Sequence, residues 1–381
     1  MVALLLLVGI AVAVFVGFNI GGSSTGVAFG PAVGSDTIGK TGAAALMSAF
    51  ALIGGWTAGR QVIDTMSTGI VNVSFTLAAS VAILFFVGFA LLVSNLFGVP
   101  ASTSMTAVGA IAGMGAAIGE LNLEKMGEIV TWWFVAPILA FWVCAMIGRY
   151  LYPYLASTFP LGTGESSDVA ERIGQFLVVA IGCYMAYSAG ASNVANAVAP
   201  LVGANELSAN NGVFLAGGAI ALGAFTIARR TLDTVGNDLT DLPLLASLIV
   251  EVVSASLITF LSFIGIPASL AVSATMSIVG LGWGRATRTT TISEAATKAV
   301  QGQGIEDPDE EPAEAGVAMS ALNADEPGKE VAPIGEEEPD ELDASDLFDP
   351  RATGRVIMLW VATPSISAGA SYALFSTVDL L

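Results

Sequence analysis

The stretch that decides the fold of this chain is a segment of fourteen residues that occurs twice. Residues 190–203 read GASNVANAVAPLVG, and residues 21–34 read GGSSTGVAFGPAVG. The two copies align without gaps at an offset of 169 residues, and six of the fourteen positions are identical. Such a long-range match indicates that the chain consists of two related halves.

Three further matches follow in the same order along the two halves. They pair Arg60 and Asp64 with Arg229 and Asp233, residues 102–109 with 273–280, and Trp133 and Pro137 with Trp360 and Pro364. The offset is 169 residues for the first of these matches, 171 for the second and 227 for the third. The last jump predicts an insertion of 56 residues in the second half, between residues 280 and 360.

The charge of the chain is concentrated in that insertion. The formal net charge is −19, and 17 of the 32 acidic residues lie in residues 306–349, beside the single basic residue Lys329. An acidic segment that is rich in Pro and Gly and nearly free of aromatic residues predicts a disordered, solvated loop. A regulatory or partner-binding role is the alternative for this acidic loop.

The rest of the chain is too apolar for an ordinary soluble enzyme. Hydrophobic residues make up 54% of the chain, charged residues only 12%, and the mean hydropathy is +0.77. A nucleic-acid-binding protein is excluded because no basic face exists. The absence of His excludes His-based catalysis and His metal sites. We therefore expect no enzyme, no catalytic residue and no resident cofactor or metal, and we expect Cys144 and Cys183 to be buried free thiols.

Apolar runs predict ten membrane spans, because such runs fit the hydrocarbon core of a bilayer. Five precede the polar loop at residues 162–172: 2–18, 41–56, 71–96, 101–119 and 129–150. Five follow it: 173–188, 212–228, 242–264, 266–283 and 356–375. Because five is odd, two consecutive copies must be inverted across the membrane, which is a transporter architecture.

We therefore predict an all-α polytopic membrane protein with two inverted repeats of about five transmembrane helices and broken or re-entrant segments at the motifs. The first repeat should cover residues 1–160, a linker 161–172 and most of the second repeat 173–284. The acidic cytoplasmic loop should cover residues 285–353, and the last helix of the second repeat residues 354–381.

The distribution of basic residues predicts the orientation in the cell membrane. Eleven Lys and Arg residues fall on one side of the predicted spans, whereas only Arg60 and Lys125 fall on the other. By the positive-inside rule, both termini lie outside and the acidic loop lies in the cytoplasm.

Residues 19–34 and 188–203 interrupt the apolar pattern with Gly, Ser and Asn and one Pro each. Paired interruptions predict broken helices whose N-termini attract an anion at the binding site of a transporter. The substrate-binding candidates here are Ser23, Ser24, Thr25, Ser192, Asn193 and Asn196. The alternative is that these small residues only permit close helix packing.

A second pair of segments carries short hydroxyl side chains, which can donate to an oxyanion or supply oxygens to Na⁺. The candidates are Ser102, Thr103, Ser104, Ser273 and Thr275. Hydrogen bonds to their own helix backbone are the alternative.

Three acidic residues within or beside the apolar spans, together with Asn19, are candidates for binding a coupling ion. Glu251 stands alone in an apolar span, and an intramembrane carboxylate is a functional candidate by default. By the repeat offsets, its counterpart lies near residues 80–82, so this carboxylate is not duplicated. Asp64, Asp233 and Asn19 are further candidates, although Asp64 and Asp233 lie four residues after Arg60 and Arg229 and could form ion pairs instead.

These residues resemble the inorganic phosphate transporter family, the PiT-type Na⁺ or H⁺/phosphate symporters. That family carries a duplicated signature close to Gly-Ala-Asn-Asp-Val-Ala-Asn-Ala, followed later by Pro-Val-Ser-Thr-Thr-His. The resemblance covers nearly the whole chain outside the acidic loop, and residues 190–203 are its most specific part. The acidic composition with few Lys further resembles proteins of haloarchaea.

The chain departs from the family pattern at the chemically important positions. The family's Asn-Asp is Ser23-Ser24 in the first half and Ser192-Asn193 in the second, and its His is Met105 or Met276. Both signature carboxylates are therefore replaced by neutral side chains. A carboxylate accepts a hydrogen bond from hydrogen phosphate but only repels sulfate, so its loss makes sulfate a more credible substrate.

The resemblance implies a secondary transporter that takes up inorganic phosphate by Na⁺ or H⁺ symport with alternating access in a lipid bilayer. The alternatives are a sulfate permease of the same family, a passive anion channel and a transport-dead anion sensor. Members of the family are often dimers, so a homodimer is expected by resemblance. The coupling ion, Na⁺ or H⁺, is left open.

Overall fold

The computed structural model describes residues 2–96, 102–158, 168–228, 244–287, 350–378 and 380. The predicted acidic loop and Asp233 lie outside these residues. The described chain forms twelve α-helices. They are α1 (Val2–Gly34), α2 (Lys40–Trp56), α3 (Gly59–Asp64), α4 (Leu77–Leu96), α5 (Thr103–Ile118), α6 (Leu123–Met146), α7 (Tyr152–Thr158), α8 (Asp168–Gly203), α9 (Ala209–Thr226), α10 (Leu244–Phe263), α11 (Leu270–Ala286) and α12 (Pro350–Thr377). π-Helical segments, Thr65–Gly69 and Ile147–Leu151, follow α3 and α6.

Each of the ten predicted apolar segments lies on one or more of these helices, and the protein is an all-α polytopic membrane protein. Five described helices are long and apolar enough to cross a membrane, or six if the bent pair α2–α3 counts as one span. Large apolar side chains on the outside of the bundle, such as Phe134, Phe176 and Ile366, are two-thirds exposed or more. A bilayer would cover such a surface, while polar side chains gather inside.

The helix bounds differ from the predicted divisions at two places. Helix α8 begins at Asp168, within the predicted linker, and α12 begins at Pro350, before the predicted last helix. Both residues favour a helix start, since an acidic side chain complements the N-terminal dipole and Pro fits the first helical turn.

The two halves interlock through matched glycine contacts. Gly21 of α1 packs on the carbonyl of Ile220 in α9, and Gly190 of α8 packs in the same way on the carbonyl of Ala51 in α2. Each residue of the second contact is the counterpart of one in the first at the offset of 169. A Cβ at either glycine would collide with the backbone of the partner helix. The glycines therefore set the helix spacing.

Matched glycine contacts between the two halves also join α5 to α12 and α6 to α11. Gly113 packs on the carbonyl of Ala368, and Gly280 packs on the carbonyl of Phe141. These two contacts are equivalent only if α11 follows α5 at an offset of 167 residues. The N-cap residues agree, since Ser102 caps α5 and Ser269 caps α11.

The predicted match of residues 102–109 with 273–280 is therefore displaced by one helical turn. The segment of α11 repeats Ser at residues 269, 273 and 277, so a shift of four residues keeps small polar side chains aligned. Sequence identity alone does not separate the two alignments. The packing of Gly113 and Gly280 separates the two alignments, because only glycine fits at each of these contacts.

The equivalent helices α1 and α8 run antiparallel. Gly9 of α1 packs on Leu201 near the end of α8, whereas Gly182 in the first half of α8 packs on Ala28 and Phe29 near the end of α1. An early residue of each helix thus meets a late residue of the other.

The motif segments are continuous helix, so the prediction of broken helices at residues 19–34 and 188–203 is wrong. Both segments lie inside α1 and α8, and Pro31 and Pro200 lie near the helix ends. Unpaired backbone groups are costly at membrane depth, and the glycines serve close packing instead. The break lies at residues 57–58, where the axis bends by 61° between α2 and the α3 segment.

Candidate functional site

A buried polar cluster joins α8 to the first turn of α5. The amide nitrogen Nδ2 of Asn196 donates to Ser104 Oγ at 3.0 Å and to Asn193 Oδ1 at 3.1 Å. Asn193 Nδ2 donates in turn to the carbonyl of Ala189 at 3.0 Å. Asn193, Asn196 and Ser104 are at most 9% exposed. We call these three residues the amide cluster.

One side-chain acceptor of Asn196 has no partner, and its backbone acceptor lacks the usual helical donor. Its side-chain oxygen Oδ1 is buried and has no hydrogen-bond partner in the described part of the chain. Its backbone carbonyl cannot receive the usual helical hydrogen bond, because Pro200, four residues later, has no N–H. Buried polar groups are normally satisfied, so these oxygens mark a place where a bound donor or cation would be stabilised.

The N-terminus of α5 lies beside the amide cluster. Ser102 caps the helix by accepting from the amide of Met105 at 3.3 Å, and Ser102 and Ser104 are both 2% exposed. The first amides of a helix have no partner within the helix and carry a partial positive charge. Buried among neutral donors, this helix end is suited to an anion. The half-buried Thr103 is the first residue of α5.

The amide cluster occurs only once among the described residues. The counterparts of Asn193 and Asn196 in α1 are Ser24 and Val27, and at the offset of 167 the counterpart of Ser104 is Ala271. The hydrogen-bonded pair of Asn196 and Ser104 thus corresponds to the apolar pair of Val27 and Ala271. The duplication of the motif does not duplicate the site.

The candidate residues of α1 bond to their own helix. Ser23 Oγ donates to the carbonyls of Asn19 and Ile20 at 3.2 Å, Thr25 Oγ1 to that of Gly21 at 2.6 Å, and Asn19 Nδ2 to that of Phe15 at 2.8 Å. Ser23 is exposed and Ser24 half-buried, whereas Thr25 is buried. No hydrogen bond between described residues joins them to the amide cluster.

The other hydroxyl candidates have local roles in the structure. Ser192 is buried and donates to the carbonyl of Ala189 at 3.4 Å. Ser273 lies one turn inside α11, where it is 1% exposed, and Ser269 caps that helix. Thr275 donates to the carbonyl of Ala271 at 3.0 Å.

The described acidic candidates, Glu251 and Asp64, make no hydrogen bond to the amide cluster. Glu251 is buried in α10, at 5% exposure, and its carboxyl group makes no hydrogen bond to any described residue. Asp64 is exposed and does not pair with Arg60. The expected ion pair is wrong because the Arg60 guanidinium donates to Asn210 and stacks 4.2 Å above the ring of Trp56.

Two interhelical hydrogen bonds near the site were not predicted. Ser80 Oγ of α4 donates to the carbonyl of Pro200 at 2.7 Å, and the hydroxyls of Tyr187 and Thr57 lie 2.8 Å apart at the bend between α2 and α3. A lone Ser or Tyr in an apolar run carries no signal of its partner, so sequence patterns could not find these bonds.

Comparison with known proteins agrees with the fold. The model of a family described as the phosphate transporter family matches residues 20–371. The sulfate permease CysP of Bacillus subtilis is 34% identical over 278 residues, which cover 72% of this chain and 77% of the permease. A Haemophilus influenzae protein provisionally named a phosphate permease is 23% identical over 360 residues, covering 71% of this chain and 86% of that protein.

A solved structure shows the same fold. The structure titled "The sodium-dependent phosphate transporter" superposes with a TM-score of 0.64 at 17% sequence identity, and the match covers 98% of this chain and 99% of that one. Together with the family match over most of the sequence, this similarity leads to one conclusion: the chain belongs to the phosphate transporter family.

Proposed function

We propose that this protein is a secondary transporter that takes up a tetrahedral inorganic oxyanion, with phosphate as the first candidate. The observation that carries the proposal is the amide cluster beside the buried N-terminus of α5. The helix end and the hydroxyls of Ser102, Thr103 and Ser104 supply donors to anionic oxygens. The unpartnered Oδ1 of Asn196 supplies an acceptor for the hydroxyl of hydrogen phosphate.

Sulfate is the second candidate, and a different observation favours it. None of the residues that form the amide cluster or cap α5 is a carboxylate, so nothing in that set repels a dianion without a proton. The sulfate permease relative supports this choice. The remaining candidates, Ser23, Ser24, Thr25, Ser192, Ser273 and Thr275, would line the path or the site in another conformation.

Alternating access follows from the proposed symmetry of the two halves. The antiparallel course of α1 and α8, together with the exchanged glycine contacts, supports inverted repeats. The asymmetric amide cluster would then face each side of the membrane in turn as the interlocked halves rock. The proposed orientation keeps both termini outside and the acidic loop in the cytoplasm.

Uptake must be coupled to a cation if the anion is to accumulate. Na⁺ and H⁺ are both proposed as coupling ions, and the structural neighbour titled as a sodium-dependent transporter supports Na⁺. The proposed ion-binding groups are Glu251, Asn19, Asp64 and Asp233. A homodimer is part of the proposal only by family resemblance.

Uptake of labelled phosphate and sulfate into proteoliposomes tests the proposal. Vesicles are prepared with an inward Na⁺ gradient, an inward proton gradient or neither. We expect uphill uptake under at least one gradient. Downhill flux that neither gradient drives uphill would indicate a channel, and anion binding without any flux would indicate a sensor; either result overturns the proposal.

A further inference from the structure

The joint between α1 and α10 differs from its counterpart between α8 and α4. The bounds of α4 and α10 match at an offset of 167 residues, so the counterpart of Glu251 is Leu84 and the predicted position near residues 80–82 is wrong. Leu84 is fully buried and packs in one apolar cluster with Ala13 and Leu201. Ala13 belongs to α1 and Leu201 belongs to α8.

All three members of this apolar cluster change in the other half. At the offset of 169, Ala13 corresponds to Gly182 and Leu201 corresponds to Ala32. The set Ala, Leu and Leu becomes Gly, Glu and Ala. Two neighbours lose side-chain volume where the central residue gains a carboxyl group, and the ring of Phe29 packs against Gly182 where a Cβ would otherwise stand.

The hydrogen bond that joins α4 to α8 has no equivalent between α10 and α1. Ser80 of α4 donates to the carbonyl of Pro200 in α8. Its counterpart Ser247 makes no such bond to Pro31 among the described residues, where the carbonyl of Pro31 accepts from Ser35 Oγ at 2.7 Å. Helix α10 is therefore held less tightly to α1 than α4 is to α8.

The surroundings of Glu251 provide no opposite charge. The titratable or charged residues on the helices packed against α10 are Asp168, Glu171, Arg172, Cys183, Tyr184 and Tyr187 in α8, Glu124, Lys125, Glu128 and Cys144 in α6, Arg285 in α11, and Arg60 and Asp64 in α3; α1 has none. No ion pair within the described ranges joins any of them to Glu251. An ionised carboxylate without a partner is costly to bury, so the neutral acid is the form that suits the closed joint.

We propose that Glu251 carries the coupling proton at the joint between α1 and α10. The inference rests on the proposed function and selects H⁺ over Na⁺ for this residue. The carboxylate binds a proton from the aqueous phase when the joint is open on one side and is buried as the neutral acid. It releases that proton when the joint opens on the other side. A proton needs one oxygen ligand, whereas Na⁺ needs several, and no hydrogen bond between described residues joins the Glu251 carboxyl group to a second oxygen-bearing side chain.

Three variants test this role in proteoliposomes. Glu251→Gln cannot release a proton, Glu251→Leu restores the residue of the first half, and Glu171→Gln is the matched control at an exposed acid of α8. Each is measured for counterflow of labelled phosphate and sulfate and for uptake driven by an inward proton gradient. Thermal unfolding of the purified proteins confirms that they fold.

The wild type and Glu171→Gln should accumulate anion under the proton gradient. Both Glu251 variants should lose gradient-driven accumulation at least tenfold more than they lose counterflow. Gradient-driven accumulation that survives in folded Glu251→Gln, or a wild type that responds only to Na⁺, would overturn this role while leaving the proposed function intact. The absence of both counterflow and uptake in the wild type would instead overturn the proposed function.

Discussion

Restoring the carboxylate that the family carries at the second motif should separate phosphate from sulfate. The substitution is Asn193→Asp, which changes one amide into an anion of the same shape. Asn193 Oδ1 accepts from Asn196 Nδ2 at 3.1 Å, so the new carboxylate keeps this contact with the amide cluster while it loses the hydrogen bond that Asn193 Nδ2 donates to the carbonyl of Ala189. An oxyanion that binds Asn196 would lie about 5–6 Å from that carboxylate, one hydrogen-bond length further on.

The repulsion at this distance sets the size of the effect. At about 6 Å and an effective dielectric constant of about 20, two unit charges interact with about 3 kcal/mol, so sulfate is penalised by about 6 kcal/mol. Hydrogen phosphate recovers about 1.5–3 kcal/mol by donating its hydroxyl to a charged acceptor. A difference of about 2–3 kcal/mol corresponds to a selectivity change of roughly 30- to 150-fold in favour of phosphate.

The assay is the initial rate of uptake of each labelled anion over a range of concentrations at pH 7, which gives the ratio of kcat/KM for phosphate and sulfate. Asn211→Asp is the matched control, because Asn211 is exposed in the first turn of α9. The control should leave the ratio unchanged. An equal loss for both anions in Asn193→Asp, or a shift towards sulfate, would refute the placement of the oxyanion beside the amide cluster.

Three further substitutions test the architecture around the site. Ser102→Ala removes the cap of α5 and should lower stability by about 1 kcal/mol, seen as a reduced Tm. Gly190→Ala places a Cβ against the carbonyl of Ala51 and should lower the free energy of unfolding by about 1–3 kcal/mol, again seen as a reduced Tm. Its control is Gly42→Ala at an exposed helical position, where nothing lies within 4 Å of the new Cβ and the Tm should rise slightly. Equal Tm values for the two glycine variants would contradict the packing. Tyr187→Phe removes the hydrogen bond to Thr57 and should speed amide exchange at residues 57–60 by roughly fivefold, for a loss of about 1 kcal/mol; unchanged exchange would show that this bond does not hold the bend.

The sequence revealed the duplication because glycines that pack on backbone cannot change. Gly21 and Gly190 sit in contacts that no other residue fits, so the two motifs kept their spacing. The same repeat predicted Asn193, Asn196 and Ser104 as site residues, although it could not show that Ser104 meets Asn196 across two helices. Long-range contacts of this kind depend on helix crossing, which periodicity does not encode.

The errors have the same physical origin. Gly and Pro at the motifs were interpreted as helix breakers, yet the packed surroundings keep α1 and α8 continuous and use the glycines for close approach. The repeated Ser of α11 allowed an alignment one turn out of register, which placed Ser273 where Ser269 belongs. Spacing alone favours an ion pair between Arg60 and Asp64, whereas in the fold Arg60 contacts Asn210 and Trp56.

Counterflow of labelled phosphate in proteoliposomes tests the central claim most directly. Vesicles loaded with unlabelled phosphate are diluted into labelled phosphate, for the wild type and for the double variant Asn196→Val, Ser104→Ala, which installs at each position the counterpart from the other half, Val27 for Asn196 and Ala271 for Ser104. We predict transient accumulation of label in the wild type, suppressed by external sulfate and reduced at least tenfold in the folded double variant. Simple equilibration of label without accumulation, or counterflow that the double variant leaves unchanged, would contradict a carrier that binds its anion at the amide cluster.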